Sequence, residues 1–262
     1  MNLDTIYHQD CLEGMKNIPD GSIDMILCDL PYGTTACKWD TVIPFEALWE
    51  QYERIIKDTG AIVLFGTEPF STRLRMLRLC HYKYDWIWKK NTSTGFQHAK
   101  NMPLRNYENI SVFSKGGMGH KSLLKENRMT YNPQGLIKCE KYHNGKSGFG
   151  GIVGKRPSHK DVVKQEFTNY PKMILNFDNE KGFHPTQKPV ALLEYLIKTY
   201  TNEGETVLDN CIGSGSTAVA CVNTNRNYIG FETDFKYCKI ASQRVLKARF
   251  EKWKEENRSL II

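Results

Sequence analysis

Asp29, Leu30, Pro31 and Tyr32 follow an apolar run over residues 23–28 that is typical of a buried strand. An exocyclic amine on a nucleic-acid base is a poor nucleophile, because its lone pair is delocalised into the ring. The Asp29 carboxylate and the Leu30 carbonyl are acceptors that, aimed at its N–H groups, would free that lone pair. Pro31 biases Leu30 to an extended conformation, and the ring of Tyr32 could stack on a base. Considered alone, an ordinary Pro-Tyr-Gly turn explains the four residues slightly better.

A second candidate site lies near the other end of the chain, after a predicted strand that ends at Asp209. Gly213 and Gly215 precede a helix that opens at Ser216, and they permit a tight turn and close approach of a ligand to the backbone. Glu232 ends the next predicted strand, 23 residues after Asp209, where an acidic residue commonly binds ribose hydroxyls. This arrangement favours a nucleoside cofactor over a plain structural turn. The absence of a third, helix-packing glycine favours S-adenosylmethionine over NAD.

Strand-like and helix-like stretches alternate in both halves of the chain. This alternation predicts an α/β fold with a mostly parallel sheet and helices on both faces. Residues 45–57 carry apolar side chains at helical spacing, and Gly60 stops that helix. Other helices are predicted at about 69–79, 189–200, 216–223 and 235–256, and strands at 23–28, 61–65, 85–88, 109–113, 205–208 and 228–231. Both candidate sites follow strands, at the edge where open α/β sheets carry their sites.

The excess positive charge of the chain, +7 in total, is concentrated in one segment. Residues 115–172 hold 12 Lys and Arg but only 4 Asp and Glu, together with 9 of the 20 glycines. The organisation predicted is a single catalytic domain over 1–262, with an inserted region at 115–180. A basic, loop-rich patch suits a polyanion such as nucleic acid, and a solvated lysine-rich loop explains the charge about equally well.

Composition excludes several classes of protein. No apolar stretch approaches the roughly 20 residues of a membrane span, and the N-terminus shows no signal peptide. The eight cysteines are scattered without a Cys-x-x-Cys pair. This usage indicates a cytoplasmic chain with reduced thiols, and it supports neither a metal site nor disulfides.

With both motifs in view, the chain resembles the amino-group DNA methyltransferases of the permuted β class. In that family an Asp-Pro-Pro-Tyr-type motif precedes the recognition region, and a Phe-x-Gly-x-Gly motif comes last. Leu30 stands here in place of the second catalytic residue, proline, and Cys211 in place of the phenylalanine. Three further stretches match family elements: His-Gln-Asp-Cys-Leu at 8–12, Asn-Tyr-Glu-Asn-Ile-Ser-Val-Phe at 106–113 and His-Pro-Thr-Gln-Lys-Pro at 184–189. The resemblance covers about residues 3–115 and 180–245.

The resemblance implies a Rossmann-like, S-adenosylmethionine-dependent methyltransferase fold, permuted, in which residues 115–180 form the inserted target-recognition region. It implies that the catalytic motif is Asp29, Leu30, Pro31 and Tyr32. It implies cofactor contacts from Asp10, Cys11, Asp29, Thr186, Gln187, Lys188, Asp209, Cys211, Gly213, Ser214, Gly215 and Glu232. Compact members of this kind are frequent in phages and prophages.

The expected function is site-specific transfer of a methyl group from S-adenosylmethionine to adenine N6 in double-stranded DNA, with the base flipped out of the duplex. Aspartate at the first catalytic position favours adenine, and cytosine N4 is the alternative. An RNA base methyltransferase, a nucleotide-dependent oxidoreductase and a non-catalytic DNA-binding module are less well supported. A homodimer is plausible from the family, and one chain does not indicate whether a restriction endonuclease accompanies it.

Trp39 and Phe96 lie in predicted loops near the first site. Either ring could fill the gap left by a flipped base, although packing within the protein is the simpler interpretation of both. Lys89, Lys90 and Arg105 could contact phosphates, and solvated charges are an equally good explanation.

Overall fold

The computed structural model describes residues 1–34, 40–119, 125–144, 162–180, 182–183 and 187–258. The chain divides into a large unit, built from residues 1–132 and 173–262, and a small unit, Pro133–Lys172. The described strands are β1 (Thr5–His8), β2 (Ile23–Cys28), β3 (Ile56–Gly66), β4 (Tyr82–Thr94), β5 (Arg105–Phe113), β6 (Ile137–Asn144), β7 (Val162–Thr168), β8 (Ile174–Asn176), β9 (Thr206–Asp209) and β10 (Asn227–Glu232). The described α-helices are α1 (Cys11–Met15), α2 (Phe45–Ile55), α3 (Phe70–Leu77), α4 (Val190–Tyr200), α5 (Ser216–Asn223) and α6 (Phe235–Glu256).

Eight of these strands form the sheet of the large unit, in the order β1-β10-β9-β2-β3-β5-β4-β8. The first five are mutually parallel. Strand β5 is antiparallel to both β3 and β4, and β8 is parallel to β4. The predicted mostly parallel α/β sheet is therefore present, with one reversed strand.

The core lies on both faces of the sheet, because the central strands are buried on both sides. In β2, Met25 and Leu27 pack in one apolar cluster, and Ile26 and Cys28 pack in the other. The first cluster includes side chains of α4, α5 and α6, and the second includes side chains of α1, α2 and α3. Such a three-layer arrangement explains why the strands read as continuous apolar runs.

The chain reverses its direction of travel across the sheet between β2 and β9. From β2 it continues to β3 on one side, and from β9 it continues to β10 on the other. In open α/β sheets a crevice opens at such a switch point, outside the carboxyl ends of the strands. Asp29 follows β2 and Asp209 ends β9, so the topology brings the two predicted sites together.

Several predicted boundaries differ from the structure. Helix α2 ends at Ile55 and not near residue 57, because Ile56 already pairs with Ile23 of β2. Pairing in the sheet thus overrides the local helical pattern. Strands β1, β6, β7 and β8 were not predicted. Strands β6 and β7 lie in the glycine-rich basic segment, which shows little hydrophobic periodicity. Strands β4 and β5 extend well beyond the predicted 85–88 and 109–113.

The small unit contains an antiparallel pair, β6 and β7, with Ile137 opposite Thr168. Asn169 Nδ2 donates to the carbonyl of Gly135 at 2.7 Å and ties the ends of the pair. This unit is shorter than the predicted insertion, because the described residues on either side of it belong to the large unit. Within the part of the chain that the structure describes, no helix combines the length and apolarity that crossing a membrane requires.

Candidate active site

A cavity of about 460 Å³ lies at the switch point, within the large unit. Its wall is formed by the segments that follow β1, β2, β9 and β10, and by residues just before α4. The predicted site residues in this wall are Asp10, Cys11, Asp29, Leu30, Pro31, Tyr32, Gln187, Lys188, Asp209, Cys211, Gly213, Ser214 and Glu232. Thr186, like Trp39, lies outside the described residues.

The glycine loop is held directly by Glu232. The Gly213 N–H donates to Glu232 Oε2 at 2.9 Å, and the Asp234 N–H donates to Oε1 at 2.8 Å. Gly213 has φ +51°, a left-handed conformation that glycine adopts without strain. Burial raises the pKa of Glu232 above its ordinary value. The loop and the acidic residue therefore form one structural element.

Gly215 is not among the residues that line the cavity, and it packs closely against α6. A Cβ added there would lie 2.7 Å from Ala241 Cβ, which belongs to α6. Gly215 also has φ +84° and caps the start of α5. Its missing side chain lets α5 and α6 approach closely.

Asp209 is a buried carboxylate beneath the same loop. Its Oδ2 accepts a hydrogen bond from Thr217 Oγ1 at 2.6 Å, and its Oδ1 accepts one from the Cys211 N–H at 3.1 Å. Burial raises the pKa of Asp209 to about 6, although both hydrogen bonds oppose this shift. Asp209 therefore positions the loop at the cost of burying a charge.

That buried charge predicts an unusual dependence of stability on pH. The folded-state pKa of Asp209 lies above the unfolded value of about 3.9, so this contribution to stability falls as pH rises between about 4 and 6. The free energy of unfolding of the wild type minus that of Asp209→Asn should be about 1 kcal/mol larger at pH 5 than at pH 8. Urea unfolding of both cofactor-free proteins at pH 5 and pH 8 measures this difference in the free energy of unfolding. Asp58→Asn, at an exposed aspartate, is the control, and a difference that grows with pH would contradict the assignment.

Asp10 and Cys11 begin α1 at the wall of the cavity. Asp10 Oδ1 accepts from the Leu12 N–H at 2.8 Å and from the Glu13 N–H at 3.2 Å, so Asp10 is the N-cap of α1. Asn210 Nδ2 donates to Cys11 Sγ at 3.7 Å and to Cys211 Sγ at 3.5 Å. The two thiols thus lie side by side where the glycine loop meets α1.

Asp29 is engaged through both carboxylate oxygens. Tyr32 Oη donates to Oδ1 at 2.6 Å, and Lys188 Nζ donates to Oδ2. The ring of Tyr32 lies 4.9 Å from that of Phe70, and the Leu30 side chain is buried in the core. Leu30 can therefore act towards a ligand only through its backbone.

Lys188 is almost fully buried between two carboxylates. Its Nζ lies 3.4 Å from Glu108 Oε2 as well as against Asp29, and 5.1 Å from the centre of the Phe65 ring. Burial by itself would lower the pKa of Lys188, but Asp29 and Glu108 raise it above its ordinary value. A buried cation therefore lies beside Asp29, whose carboxylate accepts hydrogen bonds from both Lys188 and Tyr32.

Sequence reasoning missed two carboxylates of the cavity wall. Glu108 lines the cavity and pairs with Lys90 as well as Lys188, and these cations lower its pKa against the effect of burial. A glutamate directly before the apolar run at 109–113 was the available signal, since buried charges require partners. Asp40 also lines the cavity and accepts from the Gly33 N–H at 2.9 Å. No pattern in the sequence marked it.

The described residues hold no group of three or more His, Cys, Asp and Glu side chains placed to bind a metal ion. Gln187, the remaining predicted residue, donates through Nε2 to Glu180 Oε2 at 3.0 Å, and the second oxygen of Glu180 accepts from the Val190 N–H at 2.9 Å. These bonds fix the entry to α4, and with it the position of Lys188.

The chain is similar in sequence to known proteins. The family model described as DNA methylase, for N6 and N4 methyltransferases, matches residues 23–243. The DNA adenine methyltransferase YhdJ of Escherichia coli (strain K12) is 29% identical over 259 residues, which cover 92% of this chain and 82% of YhdJ.

Two solved structures share the fold. The crystal structure of the M1.HpyAVI–SAM complex has a TM-score of 0.61 at 24% identity and covers 92% of this chain and 98% of that chain. The cytosine-N4-specific PvuII DNA methyltransferase has a TM-score of 0.65 at 15% identity, with coverage of 92% and 85%. The predicted Rossmann-like methyltransferase fold and the predicted amino-group methyltransferase family are confirmed. Because the family model matches residues 23–243, well over half of the chain and including Asp29, Lys188 and Glu232 of the cavity wall, this chain belongs to the DNA methylase family of N6 and N4 methyltransferases.

Proposed function

We propose that this chain is a site-specific methyltransferase that transfers a methyl group from S-adenosylmethionine to N6 of adenine in double-stranded DNA. The observation that supports the proposal most strongly is the position of Asp29. Its carboxylate lies in the same cavity as the glycine loop and is held there by Lys188 and by Tyr32 Oη. Such a group suits the activation of an exocyclic amine.

The residues of the cavity fit an adenosine-type methyl donor. A volume of about 460 Å³ is within the range of small-molecule sites. Glu232 would accept hydrogen bonds from ribose hydroxyls, because each of its oxygens keeps a lone pair beyond its bond to Gly213 or Asp234. Phe231 and Ile212 provide apolar wall beside it. S-adenosylmethionine supplies an electrophilic methyl group on a sulfonium sulfur.

Asp29 and Leu30 activate the target amine. The Asp29 carboxylate and the Leu30 carbonyl accept the two N–H groups, which moves the nitrogen towards tetrahedral geometry and localises its lone pair. Lys188 and Tyr32 orient Asp29, so that little reorganisation is needed when charge develops. After transfer the nitrogen carries one proton too many, and Asp29 is the group in contact that can accept it.

Tyr32 has two separable functions in this proposal: its ring stacks on the flipped base, and its hydroxyl orients Asp29 at 2.6 Å. Tyr32→Phe removes only the hydroxyl and should lower turnover by about tenfold. Tyr32→Ala also removes stacking worth about 1–3 kcal/mol and should lower turnover further. Steady-state rates of methyl transfer from labelled S-adenosylmethionine to DNA measure the turnover of both variants. Equal rates for the two variants would exclude a stacking function.

The small unit supplies contacts to phosphate in this proposal. Lys138 and Lys141 are exposed on β6, whereas Lys146, Lys155 and Arg156, which the sequence also points to, lie outside the described residues. Lys138→Ala with Lys141→Ala should lower the slope of log affinity against log salt by up to about 1.8, or 0.9 for each lost contact. Lys198→Ala with Lys247→Ala, two exposed lysines on α4 and α6, is the control. An unchanged slope would mean that β6 does not face DNA.

The product decides the proposal. Purified protein is incubated with methyl-labelled S-adenosylmethionine and with DNA from a host that lacks base methylation, and the digested nucleosides are analysed by mass spectrometry. N6-methyladenine is expected. Detection of N4-methylcytosine instead would show that the target is cytosine N4 and not adenine N6. The absence of any methylated base would overturn the proposal.

A further inference from the structure

Beside the cavity, a long β-hairpin carries strong positive charge and an exposed ring. Residues 89–107, which form the end of β4, its connection to β5 and the start of β5, contain four Lys and Arg and no Asp or Glu. No carboxylate in the described part of the chain forms an ion pair with Lys89, Lys100 or Arg105. Phe96, near the tip, is 69% exposed, which excludes packing in the core.

The hairpin points away from the sheet on the side of the cavity. Because β4 and β3 are each antiparallel to β5, they run in the same direction, and the end of β4 lies at the edge that carries Asp29. Strand β3 ends at Gly66, opposite Asn109, whereas β5 begins four residues earlier, at Arg105. The ribbon thus extends at least about 13 Å beyond the end of β3.

The tip is folded. Gly95, at φ +91°, begins a 3₁₀ turn over Phe96–His98. The N–H groups of Asn101 and Met102 both donate to the His98 carbonyl, at 2.8 and 3.0 Å. The apolar ring is therefore presented by a defined turn.

The base of the hairpin is tied to the catalytic cavity. Lys90 pairs with Glu108, which pairs with Lys188, which in turn pairs with Asp29. On the other side, Asn179 Nδ2 donates to Thr92 Oγ1 at 2.8 Å. These contacts fix the position of the ribbon relative to the catalytic carboxylate.

On the basis of the proposed function, we infer that hairpin 89–107 is a second DNA-contacting element, which enters a groove at the target base pair and inserts Phe96 into the gap left by the flipped base. A two-stranded ribbon fits the major groove of DNA, which is about 12 Å wide. Lys89, Lys100 and Arg105, which form no ion pair among the described residues, suit contacts with phosphates on either side. Apolar wedges at protein tips commonly fill or open base steps, and a flipped base leaves such an opening.

Photocrosslinking tests the contact without requiring catalysis. Two variants, Phe96→p-benzoylphenylalanine and Phe250→p-benzoylphenylalanine, are irradiated in the presence of a 30-base-pair duplex of randomised sequence. The duplex is about three helical turns long, which is enough to hold one protein. Phe250, 53% exposed on α6, is the matched control. Crosslinks from position 96 well above those from position 250 are expected. Equal yields from the two positions would overturn the inference.

Kinetics tests the wedge. On saturating unmethylated plasmid DNA, Phe96→Ala should lower turnover by about tenfold or more, Phe96→Leu should restore much of it, and Phe250→Ala should match the wild type. The slope of log DNA affinity against log salt should stay unchanged in Phe96→Ala. It should fall in the double variant Lys100→Ala with Arg105→Ala. Wild-type turnover in Phe96→Ala would overturn the wedge. A wild-type chain that transfers no label would instead overturn the proposed function, and the crosslinking result would still stand.

Discussion

Asp29→Ala should abolish methyl transfer while leaving cofactor affinity nearly unchanged. The variant removes the acceptor that localises the lone pair of the amine, and a preorganised polar group of this kind typically contributes about 10²–10³ in turnover. Asp29 contacts Tyr32 and Lys188 and not the Glu232 end of the cavity, so binding of the nucleoside should persist. Label transfer measures the loss of activity, and titration calorimetry with S-adenosylmethionine measures the affinity.

Two further variants make this result interpretable. Asp29→Ala leaves the buried cation of Lys188 with Glu108 as its only close carboxylate among the described residues, which also lowers stability. Asp29→Asn preserves the size of the side chain and should still lose most activity. Asp58→Ala, at an exposed aspartate, should behave as the wild type. Turnover above about a tenth of wild type in Asp29→Ala would refute the activating role, because such groups usually supply far more than tenfold.

Glu232→Ala should weaken binding of S-adenosylmethionine by about 10–100-fold, with little change in affinity for DNA. Hydrogen bonds to a charged group contribute about 1.5–3 kcal/mol, and each 1.4 kcal/mol corresponds to a factor of ten. The variant also releases the N–H groups of Gly213 and Asp234, so the glycine loop loses its support. Calorimetry measures the cofactor, and fluorescence anisotropy with a labelled duplex measures DNA.

A control is available in the same unit. Glu205 also accepts a backbone N–H, that of Asn202 at 2.7 Å, but it lies outside the cavity wall. Glu205→Ala should therefore leave cofactor affinity unchanged, and Glu232→Gln should lose less than Glu232→Ala. Unchanged affinity in Glu232→Ala would remove Glu232 from the ribose site.

The motifs around Asp29 and Glu232 could be predicted because each is local. A strand, a tight turn and one polar residue are all encoded by a few consecutive residues. The conformation of the turn is then determined by backbone sterics. The central strands were predictable for the same reason, since their apolar runs require burial on both faces. Longer strands and helix ends were harder, as the early start of β3 at Ile56 illustrates, because their bounds depend on a neighbouring strand.

The charge network around Asp29 could not be predicted. Lys188 and Asp29 are 159 residues apart, and sequence reasoning treated Lys188 only as part of a cofactor element. Glu108 stood in a recognised stretch, but nothing local indicates that its carboxylate meets both Lys90 and Lys188. The close packing of Gly215 against Ala241 of α6 could not be predicted either, because the motif by itself does not indicate which helix lies beside the turn.

By itself, the sequence determined the α/β class and the order of the two motifs, because apolar periodicity and turn residues act over short distances. The family was indicated by the resemblance of those motifs to known ones. Only the tertiary structure decided that Asp29 is held between Lys188 and Tyr32, that Phe96 is exposed at the tip of a basic ribbon, and that the small unit begins at Pro133. These features depend on which strands become neighbours. Long-range pairing of that kind is chosen by the burial and charge balance of the whole sheet, and no segment of a few residues contains it.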